Sequence, residues 1–252
     1  VAEILDFMPA GLPSESPWHH QLIRRVRVTQ GSMEFRVRCH PAFNYARASH
    51  RTQVTKQGAS FHSSDLSLGL ATDIPLTPDE RGVHSVFALQ EGQSAVFVLR
   101  PLAADGGCGP WPSSGETDEL FEHTVRYWRH WLSRCTYTGR WREMVHRSAL
   151  CLKLLTFEPT GAIVAAPTCS LPETPGGVRN WDYRYTWMRD AAFTVYGFLK
   201  IGFTEEADRF MEWLAARAKE AGANGSLQIV YGIDGRRDLT EQTLDHLRAE
   251  RC

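Results

Sequence analysis

The alternation of apolar and polar side chains is clearest in residues 33–39, which read MEFRVRC. A period of two is the repeat of a half-buried β-strand, whose side chains point in turn to the core and to water. The same kind of pattern recurs in three further stretches, and an apolar run follows them: residues 22–28, 66–70, 83–89 and 95–99. Short antiparallel strands separated by turn signals predict a β-sandwich.

Two short connections between these stretches predict hairpins. Residues 30–32, QGS, are short enough to reverse the chain before 33–39. Residues 90–93, QEGQ, would join 83–89 to 95–99 in the same way.

The composition changes to Gly, Pro and Ser over residues 103–115, where neither helix nor strand is favoured. Beyond it the hydrophobic period is 3.6, which predicts helices. We expect one helix capped by Thr117, a second over 139–157, a third over 190–201 that ends at Gly202, and a fourth that starts at Thr204. Their predicted buried positions are Phe121, Val125, Trp128 and Leu132; Trp141, Val145, Ala149, Leu152 and Leu155; and Ala207, Phe210, Met211, Leu214 and Ala218. Residues 239–251 predict a further helix.

The predicted organisation is therefore a sandwich over 1–102, a linker with its helix over 103–138, and a helical part over 139–252. The chain begins with Val1 rather than Met and ends inside a predicted helix, so we expect an internal fragment of a longer protein.

The composition excludes several classes of protein. The 252 residues are 42% hydrophobic and carry 28 basic against 29 acidic side chains, an ordinary globular balance. No apolar run approaches the roughly 18 residues of a membrane span, and we expect no membrane association. The six cysteines form no C-x-x-C pair, so neither a structural metal nor a disulfide framework is indicated, and we expect no cofactor and a cytoplasmic location.

Residues 24–56 leave one alternative open, because they hold seven arginines and one lysine against the single acid Glu34. Such a patch could bind nucleic acid. The net charge of −1 favours a solvated strand face instead, so we expect no nucleic-acid partner.

The densest polar and aromatic cluster is residues 167–190, PTCSLPETPGGVRNWDYRYTWMRD. Its last twelve residues contain four aromatic rings, three arginines and two aspartates. Sugar hydroxyls bind well to Arg donors and Asp acceptors, while the C–H faces of the ring stack on Trp and Tyr. A purely structural interpretation also stays open. In it, Arg189 and Asp190 form an ion pair at the start of a helix, and Asp182 closes an Asx-turn.

The segment from residue 165 to residue 191 closely resembles the first sugar-binding segment of glycoside hydrolase family 15, the family of glucoamylases, glucodextranases and bacterial trehalases. The likeness continues through Gly202-Phe203 and Glu206-Ala207 and returns at residues 229–239, IVYGIDGRRDL. Upstream, residues 6–9 and 24–45 resemble the β-sandwich domain that precedes the catalytic domain in the bacterial trehalase-like branch.

The resemblance implies a fold in two parts, an incomplete antiparallel β-sandwich followed by the first helical hairpins of an (α/α)6 toroid. It implies that Arg189 and Asp190 hold hydroxyls of a terminal glucose, that Tyr183 faces the reacting centre and that Trp187 packs against the sugar ring. Arg179 and Asp182 would support the loop, and residues 231–238 would border the same funnel.

The resemblance also implies an inverting exo-α-glucosidase, in which one carboxylic acid and one carboxylate stand roughly 6.5 to 9.5 Å apart. It places both glutamates beyond Cys252, so we expect no catalytic residue in this chain and an inactive fragment. Asp182 and Asp190 are poor substitutes, because neighbouring arginines favour the ionised carboxylate. A toroid needs about 350 to 400 residues, so we also expect stripes such as Phe210 and Leu214 to lack neighbours.

Three functions stay open. The first is hydrolysis of trehalose, which the sandwich-like first half favours. The second is glucoamylase or glucodextranase specificity, and the third is a non-catalytic protein that binds carbohydrate.

Overall fold

The computed structural model describes residues 1–13, 15–103, 106–221 and 226–247. The chain divides into two compact units, Val1–Tyr127 and Trp128–Cys252. The division falls inside a long helix, so the domain limits 1–102, 103–138 and 139–252 stay a prediction.

The first unit consists mainly of strands. Its elements in chain order are β1 (Ala2–Phe7), β2 (Leu22–Val28), β3 (Ser32–Cys39), the short helical segment α1 (Phe43–Ala46), β4 (Arg51–Thr55), β5 (Gly58–His62), β6 (Ser67–Ala71), β7 (Thr77–Asp79), β8 (Gly82–Gln90), β9 (Ser94–Leu102) and the first part of α2 (Ser114–Leu132). One antiparallel sheet has the order β1-β2-β9-β6-β5-β4, and the other has the order β3-β8-β7.

The two sheets enclose an apolar core. β2 contributes Val26 and Val28, and β3 of the other sheet contributes Phe35 to the same cluster. Phe35 stacks on Phe87 of β8 with the ring centroids 5.5 Å apart. The predicted antiparallel β-sandwich is therefore confirmed.

Both predicted hairpins are wrong, because the runs that they would join lie in different sheets. β2 pairs with β1 and β9, whereas β3 pairs with β8. The backbone N–H of Val28 donates to the carbonyl of Gln93 (3.1 Å), and the N–H of Thr29 donates to that of Val1 (2.9 Å). These bonds occupy the backbone groups that a β2–β3 hairpin would use, so the chain crosses to the second sheet. β8 and β9 separate in the same way, in the second sheet and the first.

Helix α2 covers the outer face of the six-stranded sheet over β1, β2 and β9. Phe121 meets Phe7 edge-on at 5.5 Å, and Leu120 joins a cluster with Ile23 and Val98. The buried guanidinium of Arg25 forms ion pairs with Asp118 of α2 and with Glu3, the latter at 3.0 Å.

The predicted cap of α2 is wrong by four residues. The Ser113 hydroxyl accepts the backbone N–H of Glu116 at 3.2 Å, so Ser113 caps the helix and Thr117 is buried within it. Thr117 has a side-chain hydroxyl, as Ser and Thr cap residues do. Its hydroxyl does not cap the helix, because it donates to the carbonyl of Ser113 at 2.8 Å. The fully buried face of α2 consequently lies beside the predicted stripe, at Thr117, Leu120, Thr124 and Trp131.

The second unit is mainly helical. It contains the end of α2, then α3 (Arg142–Leu154), β10 (Thr186–Trp187), α4 (Met188–Lys200), α5 (Thr204–Glu220) and β11 (Val230–Tyr231). At the centre of its core Trp131 stacks on Phe203 with the centroids 4.0 Å apart and the planes 7° from parallel. The helical part of the predicted fold is confirmed, and the closed toroid stays a prediction.

The limits of the last two helices come close to prediction. α5 starts at Thr204, as predicted, and α4 is followed by Gly202, whose φ of +93° suits glycine. α4 begins at Met188, two residues before the predicted start, because Trp187 ends a short strand and turns directly into the helix.

Several other helical predictions are wrong. α3 covers 142–154 rather than 139–157, and Trp141 is 58% exposed. Phe210 does not lack neighbours, since it is 2% exposed and stacks on Trp213 at 5.6 Å. Met211, by contrast, is 52% exposed.

Residues 239–247 contain no helix, and the rest of the helix predicted over 239–251 lies outside the described residues. Among the helices that the structure describes, none combines the length and the low polarity needed to cross a bilayer. The cysteines at 39, 108, 135, 151 and 169 are free thiols, and Cys252 lies outside the described residues.

Candidate sugar-binding site

The aromatic segment 179–190 is held by backbone pairing to the residues before it. The N–H of Ala166 donates to the carbonyl of Tyr183 at 3.0 Å, and the N–H of Ser170 donates to that of Trp181 at 2.8 Å. The intervening Pro and Gly residues form the turn that brings these two stretches side by side. Backbone hydrogen bonds therefore fix the conformation of the segment, although most of it is not assigned to a helix or strand.

A second short pairing fixes the end of the segment. β10 pairs antiparallel with β11, and the N–H of Met188 donates to the carbonyl of Ile229 at 3.0 Å. Thr186 is fully buried, and Tyr231 is 1% exposed. The structure thus brings the two stretches that carry the family resemblance, 181–190 and 229–231, into direct contact.

Arg189 and Asp190 occupy the first turn of α4, immediately after β10. Their side chains form an ion pair at 3.2 Å, with Arg189 75% exposed and Asp190 39% exposed. The ion pair agrees with the structural interpretation, and the exposure leaves guanidinium donors and carboxylate lone pairs open to a ligand. The positive end of the helix dipole also favours a carboxylate at this position.

Tyr183 and Trp187 lie next to this pair and contact each other. Their ring centroids are 5.5 Å apart, and Tyr185 meets Trp187 edge-on at 6.4 Å. Both Tyr183 and Trp187 are half-buried, so one part of each ring packs while another stays open. Arg236, from the segment after β11, lies over the ring of Tyr185 at 5.7 Å. Four predicted residues, Tyr183, Trp187, Arg189 and Asp190, are thus gathered around the start of one helix.

Asp182 stabilises the local turn. Its carboxylate accepts the backbone N–H of Arg184 at 3.0 Å, which closes an Asx-turn, and binds the guanidinium of the same residue at 2.7 and 2.9 Å. Arg179 is farther out, 72% exposed and 3.5 Å from Glu173. Both residues therefore contact other groups of the same loop.

The sequence analysis missed the buried carboxylate of Glu206, in the first turn of α5. Its Oε1 accepts from the indole of Trp131 at 2.6 Å and lies 3.0 Å from Nζ of Lys153 and 3.3 Å from Arg134. Burial raises the pKa of this carboxyl, but the hydrogen bonds from Trp131 and Lys153 and the Lys153 charge outweigh burial and leave the pKa lowered. The sequence feature that could have predicted this residue is an acidic side chain next to Ala207, on the face of α5 that the apolar period predicts to be buried.

Within the described residues, no group of three or more His, Cys, Asp or Glu side chains is placed to hold a metal ion. The side chains gathered at the start of α4 are arginine, carboxylate and aromatic groups. They can bind a polyhydroxylated ring through a planar donor, an acceptor and two ring faces.

Comparison with known proteins defines the class. Residues 139–251 match the model of glycosyl hydrolases family 15. They belong to that family, and they include the whole aromatic segment as well as α3, α4, α5 and β11.

Curated relatives extend the likeness across both units. The chain is 36% identical to a trehalase of Mycolicibacterium smegmatis, over 93% of this chain and 36% of the relative. It is 36% identical to a trehalase of Mycobacterium tuberculosis, over 93% and 35% of the two chains, and 33% identical to a trehalase of Thermoplasma acidophilum, over 97% and 41%. The chain thus spans between a third and about two fifths of the length of these relatives.

Proposed function

We propose that this chain carries the glucose-holding part of an inverting, exo-acting α-glucosidase whose substrate is trehalose. The observation that carries the proposal is the cluster at the start of α4, where Arg189 and Asp190 lie exposed beside the Tyr183 and Trp187 rings. The cluster lies inside the segment that belongs to a glycoside hydrolase family, and the relatives that match both units are trehalases.

Each group in the cluster has a role in binding. The guanidinium of Arg189 donates to two neighbouring hydroxyls of the terminal glucose, and Asp190 accepts from another. Trp187 packs against the apolar face of the ring, and Tyr183 lies on the side of the reacting centre. Binding of this kind accelerates hydrolysis only as far as it holds the transition state better than the ground state.

The same proposal assigns the general acid and base to glutamates outside this chain. Asp182 is held by Arg184 at 2.7 Å, and Asp190 is held by Arg189 at 3.2 Å. Each carboxylate already accepts a hydrogen bond from its guanidinium partner. These two aspartates therefore act as acceptors, and the 252-residue chain by itself does not hydrolyse the substrate. The cytoplasmic location stays part of this proposal.

The test is an assay of glucose release by the protein expressed from its complete reading frame. Trehalose and maltose are compared at equal concentration, and the 252-residue chain is assayed beside it. We expect release from trehalose with a kcat/KM at least tenfold above that for maltose, an α-to-β inversion visible by NMR, and no release by the shorter chain.

Each contrary result contradicts a different part of the proposal. A preference for maltose or dextran would indicate glucoamylase or glucodextranase specificity. Binding without hydrolysis by the complete protein would indicate a carbohydrate-binding function. Hydrolysis by the 252-residue chain would place the catalytic pair within it.

A further inference from the structure

The outer face of the six-stranded sheet differs between its two halves. Over β1, β2 and β9 the outward side chains are apolar, such as Ile23 and Val98, and α2 covers them. Over β4 and β5 the outward side chains are polar, and no helix lies on them among the described residues. They form a groove of about 570 Å³, which we name the β4–β5 groove. Its lining residues are Arg51, Gln53, Thr55, Lys56, Gln57, Ser60, His62, Gly106, Gly107 and Cys108.

The register of the strands places the residues on the floor of the β4–β5 groove side by side across neighbouring strands. Arg51 stands opposite His62, and His62 stands opposite Ser67 of β6. The next row places Gln53 opposite Ser60. Because side chains two residues apart share one face of a sheet, these groups point to the same side.

The wall of the groove is the segment 106–108. Gly69 lies in β6, next to β5. A Cβ on this residue would lie 3.1 Å from Cα of Cys108, so the wall approaches the sheet closely at this point. The thiol of Cys108 is buried and lies 3.7 Å from the hydroxyl of Thr55. Glycine at position 69 therefore permits the wall to close one side of the groove, while the edge strand β4 leaves the other side open.

The imidazole of His62 is held in place by two hydroxyls. Its Nδ1 lies 3.0 Å from Oγ of Ser67, and its Nε2 lies 3.0 Å from Oγ of Ser60. Both serines are buried, at 8% and 5% exposure. A ring anchored at both nitrogens presents a preorganised polar floor, which lowers the entropic cost of binding.

The described residues that line the groove carry positive charge. Arg51 and Lys56 are among them, and none of them is a carboxylate. Neither cation takes part in an ion pair with another described residue. An anion that enters the groove therefore meets two positive groups whose charge is not already neutralised, together with amide and hydroxyl groups that can bind hydroxyls.

The lining also excludes a neutral sugar as the best ligand. None of the described residues that line the groove is Phe, Tyr or Trp, so the C–H faces of a pyranose lack the stacking partners that these side chains offer. The lining residues that the structure describes also offer no carboxylate to accept from its hydroxyls. This chemistry differs from that of the cluster at the start of α4, which has both.

We propose that the β4–β5 groove binds an anionic sugar, a hexose that carries a phosphate or a carboxylate group. Arg51 and Lys56 bind the charged group, and Gln53 binds hydroxyls above the floor that His62, Ser60 and Ser67 form. The site is independent of the proposed hydrolysis, since all its residues belong to the first unit.

The test is calorimetric titration of the 252-residue chain with four probes at low salt: glucose 6-phosphate, glucuronate, glucose and inorganic phosphate. We expect at least one anionic sugar to bind at least tenfold more tightly than glucose and than inorganic phosphate. Arg51→Gln should weaken this binding at least tenfold, and Lys56→Gln should weaken it in the same direction. Arg51 is an exposed edge-strand residue, so the variant is expected to fold, which its circular dichroism checks.

The matched control is Arg36→Gln, which removes the same charge from an exposed position of β3 in the other sheet. It should leave the binding unchanged. The proposal is overturned if the chain binds none of the anionic sugars, if inorganic phosphate binds as tightly as they do, or if Arg36→Gln weakens binding as much as Arg51→Gln.

Discussion

At the scale of single residues, Arg189 and Asp190 carry the proposed grip on glucose. Removing either side chain leaves hydroxyls of the sugar without partners in the transition state. In the protein expressed from the complete reading frame, we expect Arg189→Ala and Asp190→Ala each to lower kcat/KM on trehalose more than about tenfold, which corresponds to about 1.4 kcal/mol. Steady-state kinetics measures this directly.

Arg129→Ala is the matched control for that prediction. Arg129 is an exposed arginine in the last turn of α2, outside the aromatic segment. Its removal should leave kcat/KM unchanged. Unaltered kinetics in both the Arg189 and the Asp190 variants would remove these residues from the site.

The carboxylate of Glu206 balances the charge of Lys153 inside the second unit. Glu206→Gln keeps a hydrogen-bond acceptor for Trp131 but leaves Lys153, at 19% exposure, without its counter-charge. We expect the free energy of unfolding to fall by about 1 to 3 kcal/mol. Urea denaturation measures it, with Glu205→Gln as the control. Glu205 also contacts Arg134 but is 67% exposed, so its variant should change stability by less than about 1 kcal/mol.

The lowered pKa of Glu206 gives this prediction a pH dependence. A carboxyl whose folded pKa lies below its unfolded value stabilises the protein fully above the unfolded value, near 4.5, and loses that effect as the pH falls through the folded pKa. The stability difference between the parent chain and Glu206→Gln should therefore be largest at neutral pH and shrink on acidification below about pH 4.5. A difference that grows with acidification would contradict the lowered pKa.

At the scale of elements, the hydrophobic pattern predicts five strands of the first unit, β2, β3, β6, β8 and β9, but it misses β1, β4, β5 and β7 and does not predict which strands pair. Residues 33–39 form β3, and residues 22–28 form β2, yet they lie in opposite sheets. A period of two states only that one face of a strand is buried. Two strands that bury their faces in the same core can stand side by side or across the core from each other, and the pattern does not distinguish these arrangements.

The connection between α4 and α5 offers a test of backbone geometry. Gly202 has a φ of +93°, and a Cβ there would lie 2.6 Å from Cγ2 of Thr136. We expect Gly202→Ala to lower the free energy of unfolding by about 1 to 2 kcal/mol. Thermal or urea denaturation of the purified variant measures it.

Gly197 is the matched control, because it lies inside α4 with ordinary helical backbone. A Cβ at that position meets only Cδ1 of Leu152, at 3.6 Å. Gly197→Ala should therefore raise stability by about 0.5 to 1 kcal/mol. The same sign for both variants would show that the left-handed conformation of Gly202 is not what the alanine disturbs.

At the scale of the whole molecule, the exposed apolar surface of α4 predicts that the chain self-associates. Phe193, Tyr196 and Leu199 lie on one face of the helix and are 73%, 60% and 51% exposed. A contiguous apolar face of this kind favours association. We expect the 252-residue chain to self-associate at micromolar concentration in sedimentation velocity, and Phe193→Glu combined with Leu199→Lys to shift it towards the monomer.

Leu171→Lys is the control for that experiment. Leu171 is 87% exposed and lies in the proline-rich loop, outside α4. Its substitution should not change the sedimentation profile. Equal effects of the loop variant and the α4 variant would argue against α4 as the associating face.

The sequence by itself determined the secondary-structure class of each half, the start of α5 at Thr204 and the segment that carries the sugar-binding residue types. These properties depend on local periods, caps and residue chemistry, which neighbouring residues along the chain specify. Only the tertiary structure decided which strands pair, which face of α2 is buried, and that the buried Glu206 carboxylate meets Trp131 and Lys153. Pairing and burial depend on groups such as Val1, Gln93, Trp131 and Lys153 that are distant along the chain, and no local pattern records which of them will meet.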